Sequence, residues 1–251
     1  MTAPALEARG LVRQFGGLLA TDDVSFQLAP GARQALIGPN GAGKTTLINL
    51  LTGVIKPSQG AVLLDCEDIT ALASYDRVRR GLARTFQINQ LFPDMSPIES
   101  IGLAISERHH GGADFWRVAG GRRDIAEEVE ELLTTFGLID RMDEPTRVLP
   151  YGKQRLLEIA LALACKPRVL LLDEPAAGVP EDERHDILRA LAALPGDVAI
   201  LLIEHDMDLV FNFATRISVL VAGRLLCEGA PKDIAQDPRV RAVYLVEDAH
   251  G

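Results

Sequence analysis

Eight consecutive residues constrain this chain more than any other stretch: Gly38-Pro39-Asn40-Gly41-Ala42-Gly43-Lys44-Thr45. They fit G-x-x-x-x-G-K-[ST], a loop that wraps phosphate groups. Ala35-Leu36-Ile37 before the loop reads as a strand, and Thr46-Leu47-Ile48-Asn49-Leu50-Leu51 after it reads as a helix. Such a loop needs those flanks. Its glycines let backbone N–H groups curl around phosphate oxygens, and the helix N-terminus adds positive potential. Lys44 then reaches the β- and γ-phosphates, and the Thr45 hydroxyl ligates Mg²⁺. The bland alternative is a glycine-rich turn with a chance lysine. Agreement at eight positions and on both flanks weighs against it.

A chain of 251 residues can bury a substantial core, as one large domain or a domain with a subdomain. Its net charge of −9 does not suggest an extended nucleic-acid face, although a local basic patch is compatible with it. Cys66, Cys165 and Cys227 lie far apart, with neither metal-ligand spacing nor a disulfide framework, as expected of thiols in a reducing compartment. Met1-Thr2-Ala3-Pro4 lacks the basic-then-apolar pattern of a signal peptide. No apolar run approaches bilayer-spanning length. If the protein works at a membrane, something else holds it there.

Strands are expected at Leu6–Phe15, Val24–Leu28 and Arg33–Ile37, then at Ala61–Leu64 and Leu82–Phe86, with a helical turn at Asp76–Arg80. The middle changes character. Ser96-Pro97-Ile98-Glu99 is a capping box that opens a helix to about Ser106. His109–Gly121, with Trp116, reads as a loop. Ile125, Val129, Leu132, Leu133 and Phe136 then recur at helical spacing, with Gly137 as the stop. This stretch reads as a helical insert. Strand–helix alternation returns with Val169–Leu172, continuously apolar as a strand buried on both faces should be. A helix opens at Pro180 and ends at Pro195-Gly196. Val198–Ile203, Ile217–Val221 and Arg224–Cys227 read as strands, and Lys232 to about Val246 as a helical tail. The fold class is therefore α/β with a mostly parallel sheet.

A phosphate loop alone gives a nucleotide-binding protein without its task. Asp173 ends the Val169–Leu172 run, at the mouth of the sheet, where it can hold Mg²⁺ through its water shell. Glu174, one residue on, has no metal-binding need. Its natural use is as a general base on the water that attacks the γ-phosphate. Two acids capping a strand end are the bland alternative. His205 follows the next apolar strand. A lone histidine is usually structural, but this one can reach a γ-phosphate as a hydrogen-bonding sensor. Gln87 can contact Mg²⁺ or the attacking water, and can equally cap a loop.

Together these residues resemble the ATP-binding cassette of ABC transporters over essentially the whole chain. Five ordered motifs carry the resemblance: the phosphate loop Gly38–Thr46, the glutamine loop Arg84-Thr85-Phe86-Gln87, the signature Leu149-Pro150-Tyr151-Gly152-Lys153-Gln154-Arg155, the carboxylate motif Leu170–Pro175, and His205. The resemblance implies a P-loop NTPase core of RecA type, an N-terminal antiparallel β subdomain and a helical subdomain. It divides a single cassette, 1–251, into a core of 1–87 and 167–251 and a helical part of 88–166. ATP and Mg²⁺ are the implied cofactors. Glu174, His205 and Gln87 are the implied catalytic residues, and Thr45, Gln87 and Asp173 the implied metal residues. Asn40, Gly41, Gly43, Lys44, Thr45, Thr46, Tyr151, Gly152 and Lys153 are the implied nucleotide contacts. Phe15 stands where the family places the aromatic that stacks on adenine; a core role is its alternative. Two cassettes would sandwich two ATP molecules, each between one loop and the other's signature, and residues after Gln87 would pass the motion to membrane partners.

Three departures stand out. Pro150 replaces the signature's usual serine and has neither hydroxyl nor N–H. Lys153 replaces the usual glutamine, and Pro180 replaces the usual aspartate. Within the family, strings such as Phe15-Gly16-Gly17-Leu18-Leu19-Ala20 and Tyr151–Ala160 look most similar to the ATP-binding subunits of branched-chain amino acid importers. That implies a paralogous or identical second cassette, two permeases and, indirectly, a periplasmic solute-binding protein. It also implies a peripheral place on the cytoplasmic face of the inner membrane and no nucleic-acid partner. Urea or amide importers and a lipid exporter use similar cassettes. A soluble ribosome- or DNA-acting cassette protein fits the single short-insert chain less well. A phosphotransferase kinase leaves the signature unexplained.

Overall fold

The structure is a computed structural model and describes residues 3–85, 91–109 and 123–247. The chain forms two compact units. One comprises Met1–Leu82, Arg168–Glu174 and Gly196–Gly251; the other comprises Ala83–Pro167 and Pro175–Pro195. Residues 175–195, which the sequence groups with the core, thus cluster with the helical part.

The first unit holds two sheets. β1 (Leu6–Phe15), β2 (Leu18–Leu28), β4 (Gln59–Leu64) and β5 (Glu67–Asp68) form an antiparallel sheet in the order β2-β1-β4-β5. The other sheet contributes β3 (Arg33–Ile37), β7 (Val169–Asp173), β8 (Ala199–Ile203), β9 (Arg216–Val221) and β10 (Arg224–Gly229) to this unit, in the order β10-β9-β3-β8-β7, and β6 (Leu82–Arg84) begins at the last residue of the unit's first segment. β9, β3, β8 and β7 run parallel, and β10 is antiparallel to β9. Every residue of β7 and β8 is buried, which is why both read as unbroken apolar runs. β3 alternates instead. Leu36 joins a core with Leu47, Ile48, Leu50 and Leu51 of α1 (Lys44–Leu51), whereas Ala35 and Ile37 join a second core with Val210, Ile217 and Val219.

β2 starts at Leu18, six residues before the expected strand. The polar run Thr21-Asp22-Asp23 hides it in the sequence. The hairpin pairs Phe15 with Leu18 around Gly16-Gly17, and register shifts along β1 absorb the irregularity. The tail is two helices, α8 (Pro231–Gln236) and α9 (Pro238–Glu247), because Pro238 cannot continue the first. A helix absent from the sequence reading, α7 (Met207–Phe213), is capped by the Asp206 carboxylate, which accepts the Leu209 N–H at 3.2 Å.

One buried cation fixes α1 from behind. Arg77, in α2 (Ser74–Arg79), is 1% exposed. Its guanidinium donates to the carbonyls of Leu50 and Leu51 at 2.9 and 2.6 Å and to those of Thr70 and Leu72. It thus satisfies orphan carbonyls at the C-terminus of α1 and neutralises the negative end of the helix dipole. Burial lowers its pKa to about 10, so it stays charged.

In the second unit α3 (Pro97–Arg108) opens on the expected capping box. The Ser96 N–H donates to Glu99 Oε2 at 2.9 Å, and the Glu99 N–H donates to Ser96 Oγ at 3.4 Å. α4 (Arg123–Thr135) buries Ile125, Val129, Leu132 and Leu133 along one stripe and stops at Gly137, where the Leu138 N–H donates to Leu133 O. α5 (Tyr151–Ala164) packs on α3, α4 and α6 (Glu181–Ala192). A charged cluster ties three of these together. Arg108 donates to both Glu128 oxygens at 2.7 Å and to Ala164 O, and Lys166 lies 3.3 Å from Glu128.

Candidate functional site

The phosphate loop bridges β3 and α1 in the first unit, as its pattern requires. Gly43 is the N-cap of α1 at φ 101, a conformation that L side chains rarely adopt. Space enforces the same choice: a Cβ on Gly43 would strike the Ala20 carbonyl, and one on Gly38 the Leu220 carbonyl. The loop is fastened from β9–β10, where the Gly223 N–H donates to Ala42 O at 2.9 Å. No side chain caps α1, and its first turn holds no acidic residue, so its N-terminus is suited to an anion. Lys44 Nζ folds back over the loop and donates to Gly38 O at 2.6 Å and Pro39 O at 3.0 Å. Thr45 and Thr46 occupy the first turn of α1, and Asn40 and Gly41 lie in the loop itself.

Strand register brings the acidic and histidine candidates to the same end of the sheet. Leu36 pairs with Ile203, and Ile203 pairs with Asp173. The C-terminal ends of β3, β8 and β7 are therefore level neighbours. They carry the phosphate loop, Glu204-His205 and Asp173-Glu174 respectively. Ligands of open α/β sheets bind at this end. Asp173 is 4% exposed. Glu174 adopts φ 48, the left-handed region, which costs a residue with a Cβ of order 1 kcal/mol. Its N–H is held by Ile203 O at 2.9 Å, so the β8 backbone supports the strained conformation. His205 is exposed beside the buried Glu204 carboxylate, which accepts the His205 N–H at 3.1 Å and the Asp206 N–H at 3.4 Å. Glu204 escaped the sequence reading as a support for His205, because nothing in the sequence says that this carboxylate turns inward.

Among the described residues no cluster of three or more His, Cys, Asp or Glu forms a metal cage. Mg²⁺ needs no such cage, because one or two protein oxygens and the phosphates of a nucleotide suffice. The Thr45 hydroxyl and the Asp173 carboxylate fit that donor set. Gln87 lies outside the described residues.

Phe15 ends β1 with 43% of its surface exposed, so it is not a core residue. The Arg13 guanidinium sits over its ring, 4.5 Å from the centroid, and donates to Lys56 O at 2.9 Å. Positions two apart on a strand share a face, and that spacing was the one available clue to Arg13.

The signature lies in the second unit, at the start of α5. Pro150 is the N-cap and offers no side-chain bond; Tyr151, Gly152 and Lys153 form the first turn. The Gly152 N–H donates to Glu183 Oε2 at 2.8 Å. Lys153 Nζ donates to Gly137 O at 3.0 Å and lies 3.5 Å from Asp186. Burial alone would raise the Asp186 pKa, but the bond from Arg189 and the Lys153 charge hold it below the ordinary carboxylate value. Tyr151 lies 5.2 Å beneath the Arg155 guanidinium.

The profile of the ABC transporter family matches residues 21–177. The chain belongs to the ABC transporter family. It is 38% identical to the high-affinity branched-chain amino acid transport ATP-binding protein BraF of Pseudomonas aeruginosa, over 98% of this chain and all of the relative. It is 39% identical to LivG of Escherichia coli K12, also a high-affinity branched-chain amino acid transport ATP-binding protein, over 98% and 100%. A solved nucleotide-free ATP-binding cassette of an ABC transporter superposes with a TM-score of 0.82 at 30% identity, over 96% of this chain and 98% of that one. The ADP conformation of an ATP-binding cassette of an ABC transporter does so with a TM-score of 0.81 at 32% identity, over 97% and 99%. The ABC cassette therefore has the P-loop NTPase fold expected of it and acts as a nucleotide-binding ATPase. Among the described residues no helix is long and apolar enough to cross a membrane.

Proposed function

We propose that this cassette is the ATP-hydrolysing subunit of an importer for branched-chain or related amino acids. It works as a pair, with itself or with a paralogue, against two permeases on the cytoplasmic face of the inner membrane. A solute-binding protein supplies the cargo from outside. The names and full-length similarity of the relatives support this cargo class. The chain acts as one cassette, whose helical part takes in 175–195 beside 88–166.

One observation carries the chemistry: the phosphate loop, the Asp173-Glu174 pair and His205 sit on adjacent parallel strand ends. In this assignment the loop residues Asn40, Gly41, Gly43, Lys44, Thr45 and Thr46 hold the triphosphate. Phe15 stacks on the base. Tyr151, Gly152 and Lys153 meet the triphosphate of a second cassette. Thr45, Asp173 and Gln87 hold Mg²⁺, whose charge offsets that of the phosphate oxygens. Glu174 takes a proton from water as the water oxygen bonds to the γ-phosphorus and the bond to the ADP oxygen breaks. His205 hydrogen-bonds the γ-phosphate, and the Glu204 carboxylate holds its backbone N–H from behind. The rigid placement of Glu174, on a strained residue anchored to β8, suits a base that must not wander.

Glu174→Gln tests this directly. Steady-state phosphate release should fall about a hundredfold or more while ATP binding persists. The variant should then elute as an ATP-dependent dimer in gel filtration. Wild-type turnover in the variant overturns the assignment.

A further inference from the structure

Two helices of the second unit begin without a side-chain cap. α5 starts at Pro150 and α6 at Pro180, and neither proline offers a hydrogen-bonding side chain. Glu183 is the third residue of α6, and its own N–H donates to Pro180 O at 3.0 Å. Its carboxylate reaches across and accepts the Gly152 N–H of α5 at 2.8 Å. One carboxylate thus stands on the first turn of α6 and accepts an N–H from the first turn of α5.

Gly152 permits this contact sterically. A Cβ there would collide with Glu183 Oε2 and come within 3.1 Å of Glu183 Cβ. The nearby cation does not compete, because Lys153 is turned to Gly137 O and Asp186. The contact therefore neutralises the part of the signature that, in the function proposed above, receives a γ-phosphate from a second cassette. Two anions cannot share one N–H: a carboxylate and a phosphate that close repel strongly once water is excluded. Glu183 is only partly buried and long enough to swing clear.

We propose that Glu183 is an autoinhibitory counter-anion of the signature, which the triphosphate of the second cassette must displace before the pair closes. The inference rests on the sandwich arrangement of the proposed function. It makes nucleotide-driven closure less sensitive to ATP than the loop's own affinity would make it. A purely structural cap has the opposite signature, because its removal weakens the helix that binds the phosphate.

The test uses hydrolysis-silenced Glu174→Gln protein and measures pairing by analytical ultracentrifugation during a Mg-ATP titration. Adding Glu183→Gln, which keeps an acceptor oxygen and removes the charge, should lower the half-point about three- to tenfold, the size of a cap or helix-dipole interaction. An unchanged or raised half-point overturns the proposal. A second readout does not need pairing: orthophosphate titrated against the monomer, followed at the Gly152 amide by NMR. Glu183→Gln should respond at several-fold lower phosphate than wild type, and an equal response also overturns the proposal. If Glu174→Gln fails to pair in ATP while the phosphate titration behaves as expected, the sandwich fails and the Glu183 block stands.

Discussion

At the scale of single residues, Phe15, proposed above to stack on the base, shows how a neighbour prepares a surface. Phe15 is open on the hairpin, and Arg13 covers its ring from two positions away. A guanidinium over an exposed aromatic contributes about 0.5–1 kcal/mol and keeps the ring from turning. Arg13→Ala should therefore raise the dissociation constant for ATP by about two- to fivefold, measured by calorimetry, with the melting temperature little changed. Loss of affinity should be larger in Phe15→Ala. If Arg13→Ala binds ATP as wild type does, the arginine only decorates the hairpin. Glu174 makes the converse point. Its left-handed backbone is a cost that a folded chain keeps only where the surroundings impose it, here the Ile203 carbonyl on β8.

At the scale of elements, two charge clusters hold helices in place. Arg77 closes the C-terminus of α1, and so anchors the helix whose other end carries the phosphate loop. Arg77→Met removes donors from four buried or half-buried carbonyls, and should cost about 3 kcal/mol in a urea titration. A change below about 0.5 kcal/mol would show that water takes over those carbonyls. In the helical unit, burial alone would raise the Glu128 pKa, but the bond and charge of Arg108 and the charge of Lys166 pull it below its ordinary value of 4.5. A carboxylate with a lowered folded pKa contributes stability above that ordinary value and loses it as pH falls through the folded one. Glu128→Gln should thus cost about 1–2 kcal/mol at pH 7. The gap to wild type should narrow as the pH drops below about 4.5. A gap independent of pH in thermal melts would assign the effect to packing.

At the scale of the whole molecule, nucleotide and stability are linked, because a nucleotide that binds only the folded cassette stabilises it. Mg-ATP at a hundred times its dissociation constant should stabilise the wild type by about 2.7 kcal/mol, seen as a higher melting temperature. Lys44→Ala should lose most of that gain, since the phosphates lose their main positive partner. An undiminished shift would mean that the nucleotide is held elsewhere. The loop pattern, the unbroken apolar runs of β7 and β8, the capping box at Ser96 and the stop at Gly137 are all local, so the amino-acid order alone determined the P-loop fold and most of its strands. Those features work within a few residues, through backbone geometry and side-chain period, and a reader of one dimension can find them. The placement of Asp173, Glu174 and His205 at strand ends was legible for the same reason, each ending or closely following an apolar strand. The start of β2 at Leu18, the buried guanidinium of Arg77, the inward turn of Glu204 and the reach of Glu183 to Gly152 were not. Arg77 meets the carbonyls of Leu50 and Leu51 across 27 and 26 residues, and Glu183 meets Gly152 across 31. Only the tertiary structure decides which distant carbonyl or N–H a charged side chain meets, because burial makes an unmet charge costly and the folded chain alone supplies the partner.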